Sequence, residues 1–203
     1  MKKKRIGILG GTFNPPHKGH LAIAKKAKKL FKLHKIVFVP SGLPPHKTEK
    51  KLLDKEKRLK MVKTAIKGIP AFSVSRIELD RSGYSYAVDT FIELKKKFGK
   101  QAKLFYIMGL DSINDILNWR KPLELFRMCE FIVATRPGSK MRTFKRLAKF
   151  PPVERNIDKI HLFELKKDIS STDIRKRLKA GKPIKNMVPA GVSKYIKKEK
   201  LYK

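Results

Sequence analysis

Two histidines three residues apart, His17 and His20, end a run of distinctive composition: Gly10-Gly11-Thr12-Phe13-Asn14-Pro15-Pro16-His17-Lys18-Gly19-His20. The run joins a short apolar segment, Ile6 to Leu9, to a helical pattern that starts at Gly19. Paired glycines let the main chain approach a phosphate closely. A helix start adds N–H groups without intrahelical partners and the positive end of the helix dipole. Imidazoles at this spacing straddle the helix start and can face one anion, each donating a ring N–H to a phosphate oxygen. The bland alternative is a strand–helix turn with two surface histidines. Glycines, prolines and histidines falling together at a strand end favour the anion site. No lysine follows in the pattern of a P-loop, and no third glycine completes a dinucleotide fingerprint.

Three further segments carry chemistry-bearing residues. In Pro40-Ser41-Gly42-Leu43-Pro44-Pro45-His46-Lys47 the prolines stiffen a loop and hold Lys47 where a cation can reach a phosphate. Gly109-Leu110-Asp111-Ser112 follows another apolar run and sets a carboxylate where a ribose hydroxyl can bind; taken alone, Asp111 reads better as a helix N-cap. In Ile169-Ser170-Ser171-Thr172-Asp173-Ile174-Arg175, Ser171 or Thr172 can cap a helix, with Arg175 one turn inside to fork onto phosphate oxygens. A serine-capped helix start is common. Paired with the histidine-bearing one, it suggests two anion sites gripping one polyphosphate.

These segments need a frame. Short β-branched apolar runs at 5–10, 35–40, 72–79, 103–108, 130–135 and 160–165 read as strands. Helical periodicity falls between them at 19–31, 55–67, 85–98, 112–118, 122–127 and 141–148. This alternation predicts an α/β, Rossmann-like parallel sheet covered by helices on both faces, with ligands beyond the carboxyl ends of the strands where strand order reverses. Two short helices, 173–180 and 190–200, are expected in the tail, with Gly181 as a C′ residue and Pro189 at a helix start. The division is therefore a nucleotide-binding α/β domain over 1–168 and a helical subdomain over 169–203. The weakest patterning lies at 138–159, where a loop is expected around the short 141–148 helix.

Composition bounds the function classes. The chain has 203 residues, 33% of them charged, and 51 Lys plus Arg against 17 Asp plus Glu leave a net charge of +34. Such an excess attracts polyanions. The lysines, however, are scattered along helical patterns (Lys25, Lys26, Lys28, Lys29; Lys95, Lys96, Lys97) and form no recognition motif, so a solvated surface is expected and no specific nucleic-acid partner. The lone Cys129 lies in an apolar run and reads as a buried structural thiol in a reducing compartment. No apolar run has the length of a membrane crossing, and the segment after the basic start is too short for a signal peptide, so no membrane association and a cytoplasmic location are expected.

The motifs together resemble the nucleotidyltransferase α/β superfamily, in which a GxFNPxHxGH loop is followed much later by an ISSTxIR element that plays the part of a KMSKS-type loop. Within it, the chain resembles the bacterial nicotinate-nucleotide adenylyltransferases. The matching pieces are Gly10 to His20, Pro44 to Lys47, Gly83-Tyr84-Ser85-Tyr86 with Asp89-Thr90, Gly109 to Ser112 with Trp119, Arg136-Pro137-Gly138, Ile169 to Arg175, and the ending through Leu201-Tyr202. The resemblance runs in order along nearly the whole chain, with no family signal over 140–158.

The resemblance implies transfer of the adenylyl group of ATP to nicotinate mononucleotide, giving deamido-NAD and pyrophosphate. It implies that His17, His20 and Arg175 are catalytic. ATP would be bound by Gly10, Gly11, Phe13, His17, His20, Gly109, Asp111, Ser170, Ser171, Thr172 and Arg175, with Asp111 on the ribose. The mononucleotide would be bound by Thr12, Asn14, Lys47, Thr90, Trp119 and Arg120. Thr12 and Lys47 would take its phosphate, Trp119 would stack on the pyridine ring, and N–H groups near Thr90 and Arg120 would meet the nicotinate carboxylate. Relatives often carry an aromatic residue where this chain has Arg120. Mg²⁺ would be carried mainly by the ATP phosphates, since no carboxylate cluster lies near the motifs. Two rivals remain. One is a transferase acting on another substrate such as phosphopantetheine, whose chains lack the Gly83–Thr90 and Trp119 elements. The other is a basic nucleic-acid-binding protein that keeps the fold without activity, which intact His17, His20 and Arg175 argue against.

Overall fold

The computed structural model describes residues 3–45, 52–135, 141–166 and 169–202. Its centre is a sheet of six parallel strands: β1 (Lys4–Gly11), β2 (Lys35–Pro40), β3 (Phe72–Val74), β4 (Ala102–Gly109), β5 (Glu130–Thr135) and β6 (Ile160–Glu164). They stand in the order β3-β2-β1-β4-β5-β6. Strand order reverses between β1 and β4, which pair in parallel from Lys4 with Ala102 to Leu9 with Ile107. The carboxyl ends of these two strands, at Gly10-Gly11 and Gly109, therefore flank the crevice where such sheets bind ligands.

Helices cover both faces. Helix α1 (Lys18–Leu30) and α2 (Lys55–Ile66) pack Ala24, Ala27, Val62 and Ile66 on one face, against Leu9, Phe38, Phe105 and Ile107. On the other face, α3 (Ala87–Phe98), α4 (Leu110–Asn114) and α5 (Pro122–Met128) pack Phe91, Leu94, Ile113 and Phe126 against Ile8, Leu104 and Phe131. Burial on both faces explains the unbroken apolar runs of the central strands. Cys129 sits in the second core, where burial pushes its thiol up beyond nucleophilic use. Two small helices, α6 (Met141–Leu147) and α7 (Pro151–Glu154), and a 3₁₀ turn at Ile157–Lys159 precede β6, so most of the stretch expected as a loop is helical.

The tail forms α8 (Ser171–Lys179) and α9 (Ala190–Lys198). Ile174, Ile184, Val188, Val192, Ile196 and Leu201 make a third apolar cluster with Met61 and Ala65 of α2. Gly181 has φ +66 just after the C-cap Ala180, as a C′ residue should. Among the described residues no helix is long and apolar enough to cross a membrane.

Four sequence expectations need correction. The 72–79 strand pairs only over Phe72–Val74, with Ile36, Val37 and Phe38 of β2, because the chain then turns, with the Leu79 N–H on Arg76 O. Helix α3 starts at Ala87 and not at Ser85, whose N–H bonds Leu43 O and whose hydroxyl accepts from Gly42 N. The 112–118 helix is two pieces, α4 and a 3₁₀ turn at Ile116–Asn118, broken where Asp115 bonds back to Ser112 O and accepts from Asn118 Nδ2. Helix α8 begins at Ser171 because its cap is Ser170 and neither Ser171 nor Thr172.

Candidate active site

The start of α1 is capped by its own histidines. His17 Nδ1 accepts from the His20 N–H at 3.3 Å, and His20 Nδ1 accepts from the His17 N–H at 3.1 Å. The rings stack 3.6 Å apart with 23° between planes. Gly19 makes this possible: a Cβ there would lie 2.9 Å from His17 Nδ1. Because each Nδ1 is an acceptor, the hydrogen-bond pattern assigns the ring proton of both imidazoles to Nε2. The pair is a reciprocal capping box built from imidazoles, with the ring proton of each on Nε2.

The turn before it is locked from several directions. Phe13 adopts φ +48, and its ring lies in the core against Phe38 and edge-on to His20 at 5.0 Å. A nucleotide can thus meet Phe13 only through its main chain. Asn14 is 2% exposed, with its carbonyl accepting from Arg175 Nη1 at 2.8 Å and its Oδ1 from the Tyr202 hydroxyl at 2.7 Å. Ser171 Oγ donates to Pro15 O at 2.9 Å, and the Lys18 N–H to Met187 O at 2.8 Å. The second helix start is thereby brought against the first. Ser170 spends its hydroxyl on capping, accepting from Asp173 N and donating to Asp173 Oδ2. Arg175 uses two of its five donors, on Asn14 O and Thr172 Oγ1.

Beside Gly10 and Gly11 a cavity of about 560 Å³ opens at the β1–β4 switch point. Of the residues singled out from sequence, Gly10, Gly11, Asp111, Trp119 and Arg120 line it. Ser41 and Tyr86, which stand in the quoted segments without a role, line it too, as do Glu78, Tyr106 and Asn118, which the sequence reading missed. Tyr106 stands in the apolar run of β4 and passes for core; its ring meets Trp119 at 5.9 Å. Glu78, an acid inside the apolar run Ile77–Leu79, was the legible signal. It is 8% exposed, and burial raises its carboxyl above the usual range, opposed by hydrogen bonds from Thr90, Ser85 and Ser41 and by the nearby Arg81. Arg120 lies over the Tyr86 ring, 4.7 Å from its centre, and has no carboxylate partner among the described residues.

Thr90 is not on the cavity wall. Its hydroxyl donates to Glu78 Oε1 at 2.8 Å and its N–H is closed on Tyr86 O, so the expectation that this N–H meets a carboxylate is corrected. The N–H groups of Ala87, Val88 and Asp89, in the first turn of α3, are the ones without an intrahelical partner, and Tyr86 and Ala87 line the cavity. Asp111 lies in the first turn of α4 and is not its cap, which is Gly109. Lys47 and the Arg136-Pro137-Gly138 match lie outside the described residues.

Arg58 of α2 holds these loops together. It is 2% exposed, with Nε on Leu53 O, Nη1 on Thr12 O and Ser41 O, and Nη2 on Gly42 O. Burial lowers its pKa, yet four main-chain carbonyls solvate the charge. The ends of β1 and β2 are thus tied through one side chain. Gly42 is required at that crossing, since a Cβ would lie 2.3 Å from Glu78 O.

A doubly wound parallel sheet with a histidine-capped helix start and a cavity at its switch point defines the architecture of a nucleotidyltransferase, and the family model described as Cytidylyltransferase-like matches residues 8–177. A Thermoanaerobacter sp. (strain X514) protein named "Probable nicotinate-nucleotide adenylyltransferase" is 45% identical over 100% of this chain and 96% of its own. A Moorella thermoacetica protein of the same name is 46% identical over 98% of this chain and 92% of its own. This chain belongs to the nicotinate-nucleotide adenylyltransferase family of cytidylyltransferase-like proteins. The fold is also that of the Plasmodium falciparum nicotinic acid mononucleotide adenylyltransferase solved with NaAD, with a TM-score of 0.76 at 23% identity over 98% of this chain and 97% of that one.

Proposed function

We propose that this protein transfers the adenylyl group of ATP to nicotinate mononucleotide, forming deamido-NAD and pyrophosphate. The observation that carries the reading is a switch-point cavity bordered by Trp119, Tyr86 and Arg120 and continued by the glycine loop into the His17–His20 helix start, in a chain whose full-length relatives bear this activity in their names. A phosphate oxygen of the mononucleotide attacks the α-phosphorus of ATP, a new P–O bond forms, and the bond to the bridging α–β oxygen breaks to release pyrophosphate. The nucleophile is already an anion at neutral pH, so no general base is required. Catalysis is positioning and charge stabilisation.

His17 and His20 donate Nε2–H to phosphate oxygens of ATP as charge moves onto the leaving group. Arg175 and the α8 start, with Ser170, Ser171 and Thr172, hold the triphosphate, Ser170 through its main chain because its hydroxyl is spent on the cap. Gly10, Gly11, Gly109 and the main chain at Phe13 leave room for the nucleotide, and Asp111 takes the ATP ribose. Thr12, Asn14 and Lys47 serve the mononucleotide phosphate. Trp119 stacks on the pyridine ring. The nicotinate carboxylate is met by the N–H and guanidinium of Arg120 and by first-turn N–H groups of α3, in place of Thr90.

Among the described residues no cluster of three or more His, Cys, Asp and Glu is placed to hold a metal. Mg²⁺ fits as part of the ATP substrate, bound by its phosphates. We assign the enzyme to the cytoplasm and give the surplus charge no specific nucleic-acid partner. Pyrophosphate release from ATP plus nicotinate mononucleotide by the purified protein tests the reading. Release with phosphopantetheine but not with the mononucleotide overturns it.

A further inference from the structure

The tail grips the catalytic turn at one short stretch. Ser171, Arg175, Met187 and Tyr202 each bond to residues between Asn14 and Lys18, at 2.7 to 2.9 Å. Asn14 is held twice, by Arg175 on its carbonyl and by Tyr202 on its side chain. Just before it, Phe13 sits in the left-handed region, a conformation a bulky residue keeps only when its surroundings impose it. The Phe13 ring in turn abuts His20, which stacks on His17. A path of contacts therefore runs from the Tyr202 hydroxyl through Asn14 and Phe13 to the imidazole pair.

The Tyr202 bond has a property the others lack. A side-chain amide has two ends of nearly equal shape, and a donor on Oδ1 decides which end faces which way. Burial raises the Tyr202 hydroxyl well above its usual range, which keeps it a donor. The Tyr202 ring itself packs against the third apolar cluster, so it is held beside Asn14 by contacts that do not depend on the hydroxyl.

We infer that Tyr202 is a positioning residue for the reaction, its hydroxyl holding Asn14 and hence the turn that aims His17 and His20. This rests on the adenylyl-transfer reading, and the tail is then part of the active site and not only a cover for α2. A purely structural staple would predict a lower melting temperature and nothing more.

The test is Tyr202→Phe, which keeps the ring and removes the hydroxyl, with Leu201→Ala as the packing control. Tyr202→Phe is expected to lower kcat about tenfold, with the KM for ATP changed less and melting lowered by only a few degrees. Leu201→Ala is expected to lower melting while keeping kcat at a temperature where it is folded. In an Asn14→Ala background, Tyr202→Phe is expected to cost nothing further, because the two act through one bond. Wild-type kcat in Tyr202→Phe, or the same tenfold loss in both backgrounds, overturns the inference. An independent readout needs no substrate: the imidazole nitrogen NMR signals of His17 and His20 are expected to shift in Tyr202→Phe and not in Leu201→Ala, and unchanged signals overturn it. Absence of turnover in the wild-type protein, by contrast, would fault the proposed reaction, and the NMR comparison would still decide the role of Tyr202.

Discussion

At the start of α1 the cap is closed by two imidazoles within four residues of chain, whereas at the start of α8 a serine closes on Asp173 and the helix reaches the site only because the tail folds back across α2. Both starts offer main-chain N–H groups to an anion. They differ in what holds them. The first is a local device whose side chains serve as cap and as phosphate donors at once. The second borrows its position from Pro15 O and Asn14 O, more than 150 residues away in sequence. A local device can be broken by one substitution in two distinguishable ways. A borrowed one loses its place and its charge together.

The largest expected effect is at His20. His20→Ala removes a phosphate donor and should cost on the order of 10²–10³ in kcat, with some loss of melting temperature because Nδ1 also caps the His17 N–H. His20→Asn restores an acceptor for that cap without an imidazole. Its melting should recover while kcat stays low, and recovery of both would reduce His20 to a capping residue. At α8, Arg175→Ala should lower kcat/KM about 10- to 100-fold through lost charge-assisted bonds. Arg175→Lys should restore little of it, because a compact ammonium lacks the planar fork whose separated N–H groups reach Asn14 O and a phosphate together. Full rescue by Lys would mean that charge alone matters at this helix start.

The far end of the cavity is the contrast to both, since its cation rests on an aromatic ring and not on a cap. Arg120→Gln should lower kcat/KM for nicotinate mononucleotide about tenfold and leave the value for nicotinamide mononucleotide nearly unchanged. The wild-type preference for the acid should persist at high ionic strength, where attraction by the +34 surface is screened. A preference that vanishes with salt would assign it to the surface field. On the cavity floor, Glu78 has a folded pKa raised above 4.5, so it contributes most to stability below that pH and the contribution is lost as pH rises through the raised value. Glu78→Gln should therefore gain melting temperature relative to wild type as pH rises from 4 through the raised value. A constant difference across that range would deny the shift. The smallest effect is expected from Ser170→Ala, about 1 kcal/mol of stability or a few degrees of melting. Because the α8 start is also pinned by Ser171 and Arg175, kcat should change little; a large kcat loss would make its cap as important as that of α1.

Inside the sheet the apolar runs were legible: β2 and β5 have the bounds expected, and β1 and β4 extend theirs by one residue at each end, because burial on both faces demands such runs. At the edge, β3 is shorter than its run, since the chain turns away after Val74 while β2 continues to Pro40. The motif residues split in the same way. Gly10, Gly11, Asp111, Trp119 and Arg120 meet in the cavity as a strand-end reading suggests. Thr90 turned out to lie beneath it, because one residue along a helix start decides whether an N–H is open or closed on the preceding turn.

What the sequence determined by itself is local: the alternation that builds the parallel sheet, and the His-x-Gly-His spacing whose small third residue lets two rings cap one helix. What only the tertiary structure decided is every contact made at long range. These are the arrival of Arg175 and Tyr202 at Asn14, the tying of two strand ends by Arg58, and the meeting of Glu78, Tyr86 and Tyr106 around one cavity. Periodicity records which face of an element is buried. It carries no record of which distant element covers that face, because many apolar faces would satisfy the same pattern and only the packed core selects among them.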